Sequence, residues 1–130
     1  MRFVTEAELK NLPSLSREQL DGLEYGVVKV EDDGSILIYN RYESLLANMP
    51  VASAEGRNFF TQVAPCTDNR LFFGRFTEGV LAGTLDLTFA YNFTYKMRPT
   101  TVDVQIYRDA ATKTNWLLIK KKLNTPRCSA

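Results

Sequence analysis

The second half of the chain alternates between apolar and polar residues, and this pattern constrains the fold more than any other feature. From Leu85 to Tyr95 the odd-numbered residues are leucine, phenylalanine or tyrosine, whereas the even-numbered ones are mainly polar. A period of two predicts a β-strand with one buried face. The segments TTVDVQIYR and TNWLLIKKKL repeat the pattern, with DAATK between them and Pro99 before the first. We therefore expect three consecutive antiparallel strands.

The first half of the chain indicates short helices and two more strands. Thr5 and Ser16 each stand before one or two helical turns and are plausible N-caps. GVVKV and SILIYN indicate strands, and the acidic residues and glycine of EDDGS between them favour a hairpin. RYESLLANM and EGRNFFTQVAP suggest short helices. The longest helical pattern, TDNRLFFGRFTEGVLAG, has Thr67 or Asp68 as its expected cap and Gly83 as its end.

This order of elements predicts an α+β fold of the PAS type. Its expected parts are a central antiparallel five-stranded sheet, short flanking helices and an N-terminal helical cap. A length of 130 residues suits one such domain. We place the cap at residues 1–25, the PAS core with a ligand pocket at 26–122, and a C-terminal tail at 123–130.

Composition and charge argue against several classes of protein. The formal net charge is +1, which gives no electrostatic basis for binding nucleic acid. No apolar run approaches the roughly 20 residues that span a bilayer. Acidic residues stand where an export signal would have its apolar stretch, so we expect a cytoplasmic protein with free thiols and no membrane contact.

The absence of histidine bears directly on enzymatic function. Without histidine the chain has no Cys–His or Ser–His pair, the commonest means of activating a nucleophile. Cys66 and Cys128 are far apart in sequence, and neither belongs to a CxxC motif. Phosphate-binding glycine motifs are missing as well. We therefore predict that the protein is not an enzyme and holds no metal.

The segment VAPCTD, from Val63 to Asp68, resembles the chromophore loop of the photoactive yellow protein family. Trp116 also stands at the position that this family leads one to expect. Four further segments agree with the family in order and spacing: QLDGL at 19–23, ILIYNRYE at 36–43, GRNFF at 56–60 and YKMRPT at 95–100. The resemblance extends from about residue 19 to residue 122, which is most of the chain.

The resemblance implies a blue-light photoreceptor whose pigment is p-coumaric acid (4-hydroxycinnamic acid), bound to Cys66 as a thioester. It implies that Tyr39 and a protonated Glu43 hydrogen-bond the pigment phenolate in the dark. Light would isomerise the pigment from trans to cis, followed by proton transfer from Glu43 and a signalling change of conformation. The pocket residues implied in addition are Val28, Ala47, Met49, Phe59, Val63, Ala64, Thr67, Phe93, Tyr95 and Met97.

Two positions depart from the family pattern. Ala47 stands where the family has a threonine that bonds the pocket tyrosine, and Met49 stands where it has an arginine over the pigment. These departures bear on the absorption spectrum and on gating, not on attachment at Cys66. Cys128 is interpreted as a free thiol of the tail.

Two alternative functions remain open from the sequence. One is a PAS-like ligand-binding or dimerisation module without pigment, in which Cys66 is an ordinary core cysteine. The other is a thiol enzyme that uses a carboxylate as its base. For the leading interpretation we expect three interactions: the covalent small-molecule pigment, an unknown downstream signalling protein, and at most weak self-association, as a monomer or weak dimer.

Overall fold

The computed structural model describes residues 3–93 and 100–121, except for the side chain of Phe93. Five antiparallel strands form one sheet in the order β2-β1-β5-β4-β3. The strands are β1 (Gly26–Val30), β2 (Ile36–Tyr39), β3 (Asp86–Phe93), β4 (Thr100–Asp109) and β5 (Thr114–Lys121). The predicted α+β architecture is thereby confirmed, including the hairpin between β1 and β2.

Short helices connect the strands. The α-helices are α1 (Glu6–Asn11), α2 (Arg17–Asp21), α3 (Arg41–Ala47), α4 (Val51–Ala54) and α5 (Arg75–Ala82). Single 3₁₀ turns lie at Leu12–Ser14 and Pro65–Thr67, and π-helical turns at Phe59–Val63 and Arg70–Gly74. Thr5 and Ser16 form capping boxes at α1 and α2, so both predicted N-caps are confirmed.

The start of the longest predicted helix differs from the sequence prediction. Neither Thr67 nor Asp68 caps it, because Asn69 accepts the N–H of Phe72 at 3.0 Å and begins a π-helical turn that leads into α5. Thr67 is not available as a cap, since its hydroxyl donates to the Ala64 carbonyl at 2.7 Å. The end of the helix at Gly83 is as predicted.

The sheet separates two apolar cores, because β1 and β5 bury side chains on both faces. Leu117 and Ile119 contribute to a core shared with the short helices between β2 and β3. Trp116 and Leu118 face the other way and pack with the N-terminal segment. Its buried members are Val4, Leu9, Leu12, Leu20 and Tyr25. The N-terminal segment therefore covers the sheet face opposite the one that carries Tyr39.

Strand β3 is less buried than its alternation predicts. Leu87, Phe89 and Tyr91 pack against the first core but are only partly buried. The reason is topological, because β3 lies at an edge of the sheet and has one strand neighbour. Tyr95, Met97 and the tail at 123–130 lie outside the described residues.

None of the helices in the described part of the chain has the length and apolar character needed to cross a lipid bilayer. Within residues 3–93 and 100–121, no group of three or more cysteine, aspartate or glutamate side chains is placed to hold a metal ion.

Candidate functional site

Two buried polar side chains lie close together where β2 passes into α3. Tyr39 is the last residue of β2, and Glu43 lies in the first turn of α3, with exposed fractions of 0% and 1%. Four buried side-chain atoms have no hydrogen-bond partner among the described residues, and three of them are the Tyr39 hydroxyl and both Glu43 oxygens. An unpaired buried polar group costs about 1–3 kcal/mol, so this arrangement indicates a site for a polar ligand atom.

Both side chains are held in their protonated, hydrogen-bond-donating forms. Burial raises the pKa of Glu43 to about 8, so this carboxyl is neutral at pH 7. Burial, and secondarily the Glu43 carboxyl, raise the pKa of the Tyr39 hydroxyl. The absence of a side chain at Gly26 leaves room for this carboxyl, since a Cβ there would lie 2.2 Å from Glu43 Oε1. Two adjacent O–H donors in a buried site favour a ligand oxygen that carries negative charge.

Asn40 fixes the turn between these two residues. Its side-chain oxygen accepts the N–H of Val27 at 2.9 Å and the N–H of Glu43 at 3.2 Å. Its amide group donates to the carbonyls of Leu20 at 2.8 Å and Tyr25 at 3.1 Å. One buried side chain thus connects the helix that carries Glu43 with β1 and with the N-terminal segment.

We expect Asn40→Ala to lower the free energy of unfolding by about 2–4 kcal/mol, since it removes a helix cap and leaves several buried backbone groups unpaired. Urea denaturation of the pigment-free protein measures this change. Asn92→Ala, on an exposed residue of β3, is the matched control and should change stability by less than about 0.5 kcal/mol. Equal stability of the two variants would contradict the role given to Asn40.

The cysteine of the predicted attachment loop lies in the 3₁₀ turn Pro65–Thr67. Cys66 is a partly buried free thiol that packs against the same apolar core as Tyr39. Its carbonyl oxygen accepts hydrogen bonds from the Tyr91 hydroxyl at 2.5 Å and from Asn69 Nδ2 at 3.1 Å. The backbone of the loop is therefore fixed by side chains from β3 and from the start of the following helical turn.

The other predicted pocket residues fall around the same core. The π-helical turn before Cys66 supplies Phe59 and Val63, and Ala64 directly follows this turn. Val28 lies in β1. The predicted residues that share this core are Val28, Tyr39, Met49, Phe59, Val63 and Ala64, with Ala47 and Cys66 packed against it. Thr67 is buried in the loop. The side chain of Phe93, Tyr95 and Met97 lie outside the described residues, and the roles of all these residues stay predictions.

Sequence reasoning missed four residues that shape this site: Asn40, Glu55, Asn69 and Tyr91. Asn40 could have been found, because an asparagine directly before a helical segment is a preferred N-cap. Asn69 is likewise a local signal, because it stands directly before a helical turn and contacts the Cys66 carbonyl from three residues away. Tyr91 contacts the same carbonyl from 25 residues away, and Glu55 contacts the backbone of Tyr39 from 16 residues away. No local pattern predicts these last two contacts.

Comparison with known proteins agrees with the fold and shows the family. A photoactive yellow protein from Rhodothalassium salexigens is 40% identical over 103 residues, covering 79% of this chain and 82% of that protein. The photoactive yellow protein domain of the sensor histidine kinase Ppr from Rhodospirillum centenum has a TM-score of 0.82 at 35% identity, covering 87% of this chain and 99% of that one. No protein-family model matches the chain.

A more distant structure supports the fold alone. The PAS domain of nitrogen regulation protein NR(II) from Vibrio parahaemolyticus has a TM-score of 0.64 at 12% identity, covering 82% of this chain and 96% of that one. The strand order, together with these structural neighbours, defines the fold as that of a PAS domain. Within that class, the chain belongs to the photoactive yellow protein family, whose members are blue-light photoreceptors.

Proposed function

We propose that this protein senses blue light through p-coumaric acid, joined to Cys66 as a thioester and held at its phenolate oxygen by Tyr39 and Glu43. The observation that carries the proposal is the unpaired state of the Tyr39 hydroxyl and the Glu43 carboxyl among the described residues, both fully buried. Two buried donors without an acceptor fit a ligand with one anionic oxygen. Cys66, packed on the same core, supplies the thiol.

The energetics of this fit are consistent. A phenol with a pKa near 10 must fall below about 7 to be a phenolate in neutral solution, which requires roughly 4 kcal/mol. Hydrogen bonds to a charged group contribute about 1.5–3 kcal/mol each, so the two donors Tyr39 and Glu43 together suffice. When bound, the pigment supplies a trans-to-cis isomerisation driven by absorbed light.

The mechanism depends on where the Glu43 proton is. In the dark Glu43 keeps it, because burial raises its pKa to about 8. If the hydrogen bonding from Tyr39 and Glu43 were lost, the pKa of a bound phenol would return towards its usual value, and the Glu43 carboxyl would then pass its proton to the phenolate oxygen. A buried, unpaired carboxylate then costs several kcal/mol, which the entry of water relieves. Since Asn40 joins the Glu43 helix to Leu20 and Tyr25, the same opening loosens the N-terminal segment.

We further propose domain boundaries and a partner. We assign residues 1–25 to a releasable cap, 26–122 to the pigment-binding core and 123–130 to a tail. A signalling protein is the proposed downstream partner, because the Rhodospirillum centenum relative is a domain of a sensor histidine kinase. The cytoplasmic location, the absence of enzymatic activity and the monomeric or weakly dimeric state stay predictions.

Reconstitution with activated p-coumaric acid tests the proposal against its alternatives. We expect a yellow protein that bleaches in blue light and recovers in the dark, with the added mass on the peptide that contains Cys66. A colourless protein would favour the pigment-free binding or dimerisation module. Catalytic hydrolysis of the activated thioester would favour the thiol enzyme.

The alanine at position 47 should tune the colour. Ala47 packs against the core that contains Tyr39, and the Tyr39 hydroxyl has no partner there among the described residues. Ala47→Thr offers a hydroxyl worth about 0.5–1.5 kcal/mol as a hydrogen-bond partner. By orienting Tyr39 it should stabilise the ground-state phenolate and shift absorption of the reconstituted protein to the blue. The control is Ala47→Val, because valine has the shape of threonine but no hydroxyl. No shift, or a red shift, in Ala47→Thr would show that Tyr39 is oriented by another group.

A further inference from the structure

Three successive residues, from the last residue of β2 to the first residue of α3, are connected to the N-terminal segment. Asn40 bonds to it directly, as described above. The N–H of Arg41 donates to Asp21 Oδ1 at 2.9 Å. The N–H of Tyr39 donates to Glu55 Oε2 at 3.0 Å, and the same oxygen pairs with Arg17 Nη1 at 2.5 Å. The strand end that carries Tyr39 is thus connected to α2 through the carboxylate of Glu55.

The Tyr39 N–H needs this partner because β2 lies at an edge of the sheet. The next N–H along the chain, that of Asn40, donates inwards to Val27 in β1 at 3.1 Å. Successive N–H groups of a strand point to opposite sides, so the Tyr39 N–H points away from β1. Among the described residues no strand lies on that side of β2 to accept it, and the Glu55 carboxylate takes the place of a strand carbonyl.

The position of Glu55 is fixed by its own backbone. It follows α4 and precedes Gly56, whose φ of +90° is a left-handed conformation that favours glycine. The Gly56 N–H donates to the Ile36 carbonyl at 2.9 Å, which holds this segment against β2. The Arg17 side chain, by contrast, comes from another element and is 47% exposed. The pair is therefore anchored on the Glu55 side and accessible on the Arg17 side.

We propose that Glu55 is a positioning residue for Tyr39, and that the Arg17–Glu55 ion pair is a releasable link between α2 and the pigment-binding end of β2. The inference rests on the proposed function, because it concerns the regulation of that same site. A shift of Tyr39 displaces the oxygen that Arg17 shares, and a half-exposed ion pair is weak and screened by salt. Movement in the pocket is thereby passed to the cap along a path separate from Asn40.

The first test uses the pigment-free protein and measures amide exchange at Tyr39 and in α2. Arg17→Gln should raise exchange in α2 and also at Tyr39 by roughly two- to fivefold, or about 0.4–1 kcal/mol at 1.4 kcal/mol per tenfold. The control is Lys10→Gln, which removes the same charge from the same segment. Lys10 pairs with Glu6 at 3.6 Å and not with Glu55. Unchanged exchange at Tyr39 in Arg17→Gln would overturn the link.

The second test uses the reconstituted protein. Arg17→Gln and Glu55→Gln should each change the rate of dark recovery by roughly two- to fivefold at low salt, and the double variant should change it no further. Added salt should bring the recovery rate of the unmodified protein towards the rates of the variants, and it should leave the variants' own rates unchanged. Additive effects, or a recovery rate that none of the variants changes, would overturn the regulatory role.

The positioning role has its own spectral readout. Glu55→Ala removes the acceptor of the Tyr39 N–H and should shift the absorption maximum. Glu55→Gln keeps an acceptor oxygen, so its absorption maximum should match that of the unmodified protein. If Glu55→Ala leaves the maximum unchanged, Glu55 does not position Tyr39. If no pigment binds at all, the proposed function fails, whereas the exchange experiment still decides whether the link exists.

Discussion

The Cys66→Ala variant is expected to fold and to remain colourless after treatment with activated p-coumaric acid. Attachment as a thioester requires a thiol, and Cys66 is the free cysteine that lies against the pocket in the described part of the chain. Its side chain is partly exposed, so truncation to alanine should change the unfolding free energy by less than about 1.5 kcal/mol. Cys66→Ser should also stay colourless, because an ester does not form under conditions that exchange thioesters.

Absorption spectroscopy and mass mapping of the peptides measure this loss. Cys128→Ala is the matched control, since it removes the other thiol of the chain, and it should become as yellow as the unmodified protein. A yellow Cys66→Ala protein, or pigment mass found on the Cys128 peptide, would disprove the assignment of the attachment site.

The Glu43→Gln variant is expected to bind pigment, absorb further to the red and show a much smaller light-induced change of structure. An amide still donates a hydrogen bond to the phenolate, but more weakly than a carboxylic acid does. Weaker stabilisation of the ground-state charge narrows the optical gap. The amide has no acidic proton to release, so no buried carboxylate forms and the main force that opens the pocket is missing.

The same variant should alter the pH dependence of stability in the pigment-free protein. The pKa of Glu43 is about 8 in the folded protein and 4.5 as its ordinary value, so between these values the folded state holds a proton that the unfolded state has lost. Stability should therefore fall as pH rises from 4.5 to 8, by up to about 5 kcal/mol. The chain has no histidine, the side chain whose ordinary pKa lies inside this range.

Urea denaturation at several pH values separates this contribution. Between pH 5 and 8 the free energy of unfolding should depend less on pH in Glu43→Gln than in the unmodified protein. Glu78→Gln, at an exposed position of α5, should keep the pH dependence of the unmodified protein. Parallel curves for Glu43→Gln and the unmodified protein would mean that Glu43 is not held protonated by burial.

Local chemistry explains what the sequence predicts well. The alternation from Leu85 onwards and in the next two segments predicts strands because a period of two fits only an extended chain. Thr5 and Ser16 predict helix starts because each is followed three residues later by Glu8 or Gln19, the pattern of a capping box. The placement of Tyr39 at a strand end and Glu43 in the following helix follows from the same local signals.

Tertiary contacts explain what the sequence predicts poorly. Thr67, Asp68 and Asn69 can all cap a helix, and the residue types alone do not show that Asn69 is the one that does. The side chains of β3 are only partly buried because this strand lies at an edge of the sheet, and the alternation of apolar and polar residues does not predict the order of the strands. The link from Arg17 through Glu55 to Tyr39 joins residues that are 38 and 16 positions apart.

Light is expected to act through the proton of Glu43, and time-resolved infrared spectroscopy of the reconstituted protein follows that proton. A carbonyl band of a protonated, buried carboxyl should be present in the dark. It should disappear as the light-activated state forms, return during dark recovery, and be missing in Glu43→Gln. A carboxyl band that persists unchanged through the whole cycle would mean that Glu43 keeps its proton, and would contradict the account.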